Sequence, residues 1–376
     1  MEILNSEEPS KKKRKLENGS AKANKIHENG EGIQKIRIGS RKSQLALFQT
    51  NFVADLLRNC YCGISYDIVS MSTIGDKILD VALSKIGEKS LFTKELEVAL
   101  EKQEVHMVVH SLKDLPTTLP EGMVIGAICK RENPSDVVVF KSGNDNKNLK
   151  DLPDGSTVGT SSLRRIAQLK RLFPNLTFES IRGNLNTRFR KLDEDNIYSA
   201  IILAAAGVIR LDAEHRIGEI LTSEECMYAV GQGALAIECR ENDSATIKLL
   251  SKISDEETTL CCIAERSFMK TLEGGCSVPI GVHSKIEQKK LTLKGGVFSL
   301  DGSKSIIEEM TSEIYEQKGI LEQHYAGIIA PHLSYHLLSA AESLGRDLAE
   351  LLLKKGAGDI LKEARTKNVL LPPPSK

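Results

Sequence analysis

The chain has 376 residues, enough for two or three domains with a substantial buried core; 40% are hydrophobic and 27% charged. Basic and acidic side chains balance at 51 each, Trp is absent and aromatics reach only 4%. That composition argues against a nucleic-acid partner, which calls for a domain-wide basic excess and aromatic platforms for bases. The first ten residues carry Glu2, Glu7 and Glu8 without an apolar core, and the most apolar run, 199–209, is far short of the roughly 20 residues of a membrane span, so neither export nor a membrane partner is expected.

Residues 1–33 read as a polar, disordered tail. Within it, Lys11 to Lys15 has the composition of a nuclear-import signal or of a solubilising tail; cytoplasmic placement is the expectation. From Gln34 strands and helices alternate. Ile36 and Ile38 mark a strand, and Gly39-Ser40-Arg41-Lys42-Ser43 leads into a helix with Leu45, Phe48, Phe52 and Leu56 on one face. A strand covers 64–71, Thr93 is placed to cap a helix through Lys102, and 105–109 forms a buried strand that runs into His110-Ser111-Leu112-Lys113-Asp114-Leu115-Pro116.

The alternation restarts after a polar break at 141–150. A short strand at 157–160 precedes a helix that Ser161 or Ser162 can cap and that ends before Pro174. A strand at 176–181, a helical turn from Asn186 and a buried strand at 200–205 follow. Two β-α-β units in succession predict two lobes with a cleft between them. In the last third, Ser254 and Glu257 form a capping box for a helix through Leu272. Strands at 279–284, 290–299 and 306–310 precede a helix from Ala340 to Lys355, with Ala341, Leu344, Leu348 and Leu352 inward and Gly356 as its stop.

Four places combine glycine, small polar and charged residues at strand ends. Ser43 and Arg41 sit where helix N–H groups attract anions, although an ordinary cap has the same residues. Asp114 at the end of an inner strand is placed to move a proton or face a developing cation; a Lys113–Asp114 surface turn is the plainer reading. Between Thr160 and Lys191, eight basic side chains face one acid, Glu179. Arg164 and Arg165 follow Thr160-Ser161-Ser162, and Arg182, Gly183 and Arg188 surround a second helix start, so both junctions read as anion sites, whereas Lys170 and Arg171 fall near a helix end and go to solvent. The fourth is Glu273-Gly274-Gly275-Cys276-Ser277-Val278-Pro279, where Cys276 is the cysteine best exposed for modification. No CxxC and no zinc-type Cys/His spacing occurs among the eight cysteines, so no metal is expected and reduced, mostly core thiols are.

Together SRKSQLA (40–46), HSLKDLP (110–116), GTSSLRR (159–165), IRGNLNTR (181–188), GQGALAIE (231–238) and GGCSVP (274–279) resemble the hydroxymethylbilane synthase, or porphobilinogen deaminase, family. The resemblance covers roughly Lys35 to Gly302 and Ala341 to Ala364. It implies an α/β fold of two lobes like type II periplasmic binding proteins with a small α+β C-terminal domain. The implied division is 34–131 with 231–253, then 132–230, then 254–376, with an insertion at about 312–339. It implies a monomeric transferase that condenses four porphobilinogen molecules head to tail, with release of ammonia, onto a dipyrromethane held by a thioether to Cys276. Asp114 is then the catalytic carboxylate. Arg41, Ser43, Ser111, Lys113, Thr160, Ser161, Ser162, Arg164, Arg165, Arg182, Gly183, Arg188, Arg210 and Gln232 are implied to bind cofactor and substrate, and Gly231 to Gly233 to lie near a hinge. A non-catalytic two-lobed anion receptor and a phosphate-binding enzyme are the alternatives. A receptor requires neither Asp114 nor Cys276, and no Walker or GxGxxG motif is present.

Overall fold

The computed structural model describes residues 35–77, 92–143, 148–273, 278–315 and 324–370. The tail with Lys11 to Lys15, and Cys276 itself, lie outside them. In chain order, β1 (Lys35–Arg41), α1 (Gln44–Cys60), β2 (Ser65–Met71), α2 (Ile74–Lys77), α3 (Lys94–Glu101), β3 (Met107–Ser111) and β4 (Met123–Ile128) come first. Next come β5 (Asp136–Phe140), β6 (Thr157–Gly159), α4 (Leu163–Leu172), β7 (Thr177–Glu179), α5 (Leu185–Glu194), β8 (Ala200–Ala204), α6 (Ala205–Arg210) and β9 (Glu219–Ile220). Then β10 (Leu235–Arg240), α7 (Ser244–Leu250), α8 (Glu256–Thr271), β11 (Ile280–Glu287), β12 (Lys290–Phe298), β13 (Ser305–Glu313), α9 (Tyr335–Lys354) and α10 (Ala357–Leu370) complete the chain.

The strands form two five-stranded sheets, β2-β1-β3-β10-β4 and β7-β6-β8-β5-β9, and a three-stranded sheet β11-β12-β13. In each large sheet the first three strands are parallel, and the fourth is antiparallel to both neighbours. That fourth strand, β10 or β5, is the one entered directly after the chain has crossed from the other sheet. The fold is therefore α/β with two sheet-and-helix lobes of like strand order plus a small C-terminal α+β domain. Parallel strands with helices on their faces end at the same edge of their sheet, so β1 and β3 deliver their following turns at one edge of the first sheet and β6 and β8 at one edge of the second.

The two crossings lie side by side. Glu132 N–H donates to the Gly233 carbonyl, Cys129 N–H to Leu235, and the Arg131 side chain to Gln232 O at 2.7 Å. Gly233 has φ +88°, and a Cβ there would lie 2.3 Å from the Glu132 carbonyl oxygen, so only glycine permits this approach. Glu265 of α8, wholly buried, takes both ends of the Arg131 guanidinium at 2.6 and 3.0 Å and the Gly231 N–H at 2.7 Å. The C-terminal domain thereby grips both crossings.

Three local expectations are corrected. The inward face of α1 is Gln49, Thr50, Val53, Ala54 and Leu57, while Phe48 and Phe52 remain 42% and 43% exposed. Polar contacts outrank the larger apolar stripe here: Thr50 Oγ1 donates to Ser40 Oγ and Gln49 Nε2 to Ser111 Oγ. The cap of α8 is Asp255, whose carboxylate accepts from Thr258 N–H at 2.9 Å, in place of a Ser254–Glu257 box; Ser254 bonds Thr259 instead. Thr93 and Ser162 stand at N-cap positions without a side-chain cap bond. By contrast, α9 buries Ala341, Leu344, Leu348 and Leu352, and Gly356 follows it at φ +98°. The described part of the 312–339 stretch is built into the fold, since Ile328 pairs with Ile125 of β4 and Tyr325 is buried.

Candidate active site

From the first lobe, β1 ends at Arg41, whose guanidinium lies 4.3 Å over the Phe92 ring, and Ser43 caps α1 by accepting from Ala46 N–H. β3 is buried through His110 and releases Ser111 and then a single 3-10 turn, Leu112–Asp114, closed by Leu115 N–H to the Leu112 carbonyl. Leu112 and Leu115 anchor the turn in the core, so Lys113, partly exposed, and Asp114, exposed, project from its rim. Burial pushes the Lys113 ammonium down to about 8; Arg165 and Arg164 add to that, and Asp114 and Asp136 oppose it.

From the second lobe, Asp136 opens β5 and is wholly buried. Arg164 donates to its Oδ2 and to the Met227 carbonyl; Arg165 donates to its Oδ1 and to the Ile202 carbonyl, the shortest of these being 2.6 Å. Gln232, from the second crossing, donates to Asp136 Oδ1 as well. Burial alone would raise the Asp136 pKa, and the two guanidiniums more than reverse it, leaving a carboxylate well below its ordinary range. Arg188 on α5 donates to the Gly183 carbonyl at 2.8 Å, where Gly183 holds φ +115°. Burial and the neighbouring Arg165 push the Arg188 guanidinium down to about 10.

The two helix starts are not copies of one device. Asn184 caps α5 by accepting from Thr187 N–H, whereas α4 begins at Ser162 with no side-chain cap. Ser161 instead donates to the Ile181 carbonyl, and Thr160 Oγ1 accepts from Ser162 N–H. Arg182 is half-buried beside Gly183. Arg210 stands apart from this group, donating to the Gly233 carbonyl at the crossings.

Lys113, next to Asp114 on one lobe, therefore feels the charges of Asp136, Arg164 and Arg165 on the other, and Arg165 in turn acts on Arg188. Four cations meet two carboxylates, and two of the cations, Lys113 and Arg188, are weakened by burial and by the neighbouring arginines. Two buried polar atoms there, Arg165 Nε and Gln232 Oε1, have no hydrogen-bond partner. Crowded cations and a spare buried donor fit an anion with several carboxylates. Sequence reasoning missed Asp136; its signal is one carboxylate opening the otherwise apolar strand 136–140 just after Pro134.

Residues 36–248 match the family model described as porphobilinogen deaminase, dipyromethane cofactor binding domain, and 259–330 match porphobilinogen deaminase, C-terminal domain. The chain belongs to the porphobilinogen deaminase family. Curated porphobilinogen deaminases agree: that of Nostoc sp. is 49% identical over 87% of this chain and 93% of its own length. That of Synechococcus sp. is 48% identical over 87% and 95%, and that of Desulforamulus reducens 45% over 88% and 98%. Among solved structures, the BvgS periplasmic VFT2 domain of Bordetella pertussis aligns at 14% identity and a TM-score of 0.35, over 58% of this chain and 86% of that one; strand order remains the basis for the fold.

As a member of that family, the chain is a transferase of porphyrin biosynthesis with a dipyrromethane-binding domain, which sets aside the non-catalytic receptor. The loop 274–277 with Cys276 lies outside the described residues, but both flanks are held. Arg365 donates to the Leu272 and Glu273 carbonyls, and Val278 is buried. No helix among the described residues is long and apolar enough to cross a membrane.

Proposed function

We propose that the chain joins four porphobilinogen units head to tail onto a dipyrromethane held by Cys276, releases ammonia for each, and frees hydroxymethylbilane by hydrolysis. The observation that carries this reading is that Lys113, next to Asp114, lies among Arg164 and Arg165 of the other lobe, where Arg165 Nε is a spare buried donor. Each pyrrole brings an acetate and a propionate, so a growing chain offers carboxylates wherever those cations stand. Lys113, Arg165 and Arg188 hold them, with Arg164 fixed behind through Asp136; Arg182, Ser43, Ser111 and the open start of α4 supply further donors. When bound, the dipyrromethane supplies a free pyrrole α-carbon as the acceptor for the first unit.

Asp114 accepts from the pyrrole N–H and faces the aminomethyl carbon. The aminomethyl group leaves from its ammonium form: the C–N bond breaks with its electron pair going to nitrogen, ammonia departs, and the carboxylate stabilises the cation left behind. Asp114 would also be placed to take up, directly or through water, the proton that the acceptor ring must release once the new C–C bond is made. Lengthening of the product calls for movement of the lobes about the two crossings, with 34–131 plus 231–253, 132–230 and 254–376 as the moving units. The protein acts as a monomer in the cytoplasm.

Asp114→Asn keeps the size of the side chain and removes its charge. It is expected to retain the cofactor by intact mass and to lose about a hundredfold or more in kcat. Turnover at the wild-type rate would remove Asp114 from the chemistry.

A further inference from the structure

The turn that carries Lys113 and Asp114 is braced from behind by buried polar side chains on both sides. Before it, His110 Nε2 is hydrogen-bonded at 3.0 Å to Glu238 Oε2 of β10. Ala236 pairs opposite His110, which puts Glu238 two residues along on the same face of the sheet. After the turn, the Pro116 carbonyl accepts from the Arg266 guanidinium of α8 at 2.8 Å. Arg266 has no exposed surface and heads the fully buried side chains by volume. Its Nε donates to the Ala326 carbonyl at 2.9 Å, and a Cβ on Gly327 would sit 3.4 Å from its Nη2.

These groups are poorly arranged for stability alone. Among the described residues Arg266 makes no ion pair; burial pushes it down to about 10, with Cys262 and Glu238 acting the other way. Glu238 Oε1 and Glu97 Oε1 are buried without partners, and burial raises the Glu97 pKa. Removing such charges from water costs several kcal/mol each, and apolar residues of similar volume often serve packing as well or better. What the set provides is direction: His110 and Glu238 join β3 to β10 side chain to side chain just before the turn, and Arg266 holds the Pro116 carbonyl just after it from the helix that runs on to the cysteine loop.

Resting on the reading of Asp114 above, we infer that Glu238, His110 and Arg266 are positioning residues for the reaction, acting through the backbone on either side of the Asp114 turn. They set its direction toward the second-lobe cations and tie it to the C-terminal domain. The test compares Glu238→Gln, His110→Gln and Arg266→Lys with Asp114→Asn in the full chain, measuring kcat, KM, thermal unfolding and intact mass. Each of the three is expected to carry the cofactor and lose about fivefold or more in kcat, with KM within about twofold of wild type. Wild-type kcat in folded Glu238→Gln and His110→Gln, with only Tm lowered, would overturn the inference; these two decide it if Arg266→Lys does not fold. If Asp114→Asn itself keeps wild-type kcat, the reading of Asp114 fails first. If it is inactive while the other variants are fully active, only the positioning role fails.

Discussion

Lys113 shows how a residue's surroundings define its task. Its ordinary value of 10.5 falls to about 8, chiefly through burial and then through Arg165 and Arg164. Between about pH 8 and 10.5 the unfolded chain therefore binds more protons than the folded one, so stability rises with pH across that window. Below pH 8 the lysine is charged in both states, and the unfavourable contribution is present in full. Bound carboxylates favour the ammonium and cancel the effect. Urea unfolding of the cofactor-free Cys276→Ser protein at pH 7 and pH 9 is expected to show a gain that the wild-type protein lacks and that Lys113→Met removes. An equal response in all three proteins would mean that Lys113 does not face the bound anion. Asp136 is the complementary case: a carboxylate held ionised between two arginines keeps both guanidiniums aimed and leaves Arg165 Nε to spare.

At the scale of elements, caps and faces are decided by single neighbours. Asp255 lies one residue after Ser254, inside the Ser-x-x-Glu pattern, and its carboxylate wins the Thr258 N–H. Asp255→Ala is expected to lower stability by about 0.5–2 kcal/mol and Ser254→Ala by much less, read from denaturant unfolding. The reverse order would restore the capping box. Most strands, the inward face of α9 and the Gly356 stop were legible in the sequence because a period of 2 or 3.6 and a left-handed glycine are local properties, whereas β4, β5, β9 and β10 were not legible there. The face of α1 was not legible, because Gln49 and Thr50 are drawn inward by Ser111 and Ser40, which belong to other strands. Nor was Asp136, whose partners lie some thirty residues on in α4 and nearly a hundred on at Gln232. The site motifs were legible as an ordered set, whereas the burial of Arg164 and Arg165 depends on where β5 lies in its sheet.

For the whole molecule, two lobes of like strand order share two crossings, and a third domain holds both crossings through Glu265. Gly233→Ala places a side chain against the Glu132 carbonyl at a positive φ, and is expected to cost about 2 kcal/mol or more, seen as a lowered Tm. An unchanged Tm would mean that the crossings can separate freely. The central claim joins this frame to chemistry: a polycarboxylate pyrrole chain, tethered at Cys276, lies against the cations of the cleft. Intact-mass spectrometry of the purified wild-type and Cys276→Ser proteins tests it most directly. The account predicts an added mass of two pyrrole units on the wild-type chain and none on the variant; an unmodified wild-type chain with full activity would contradict it.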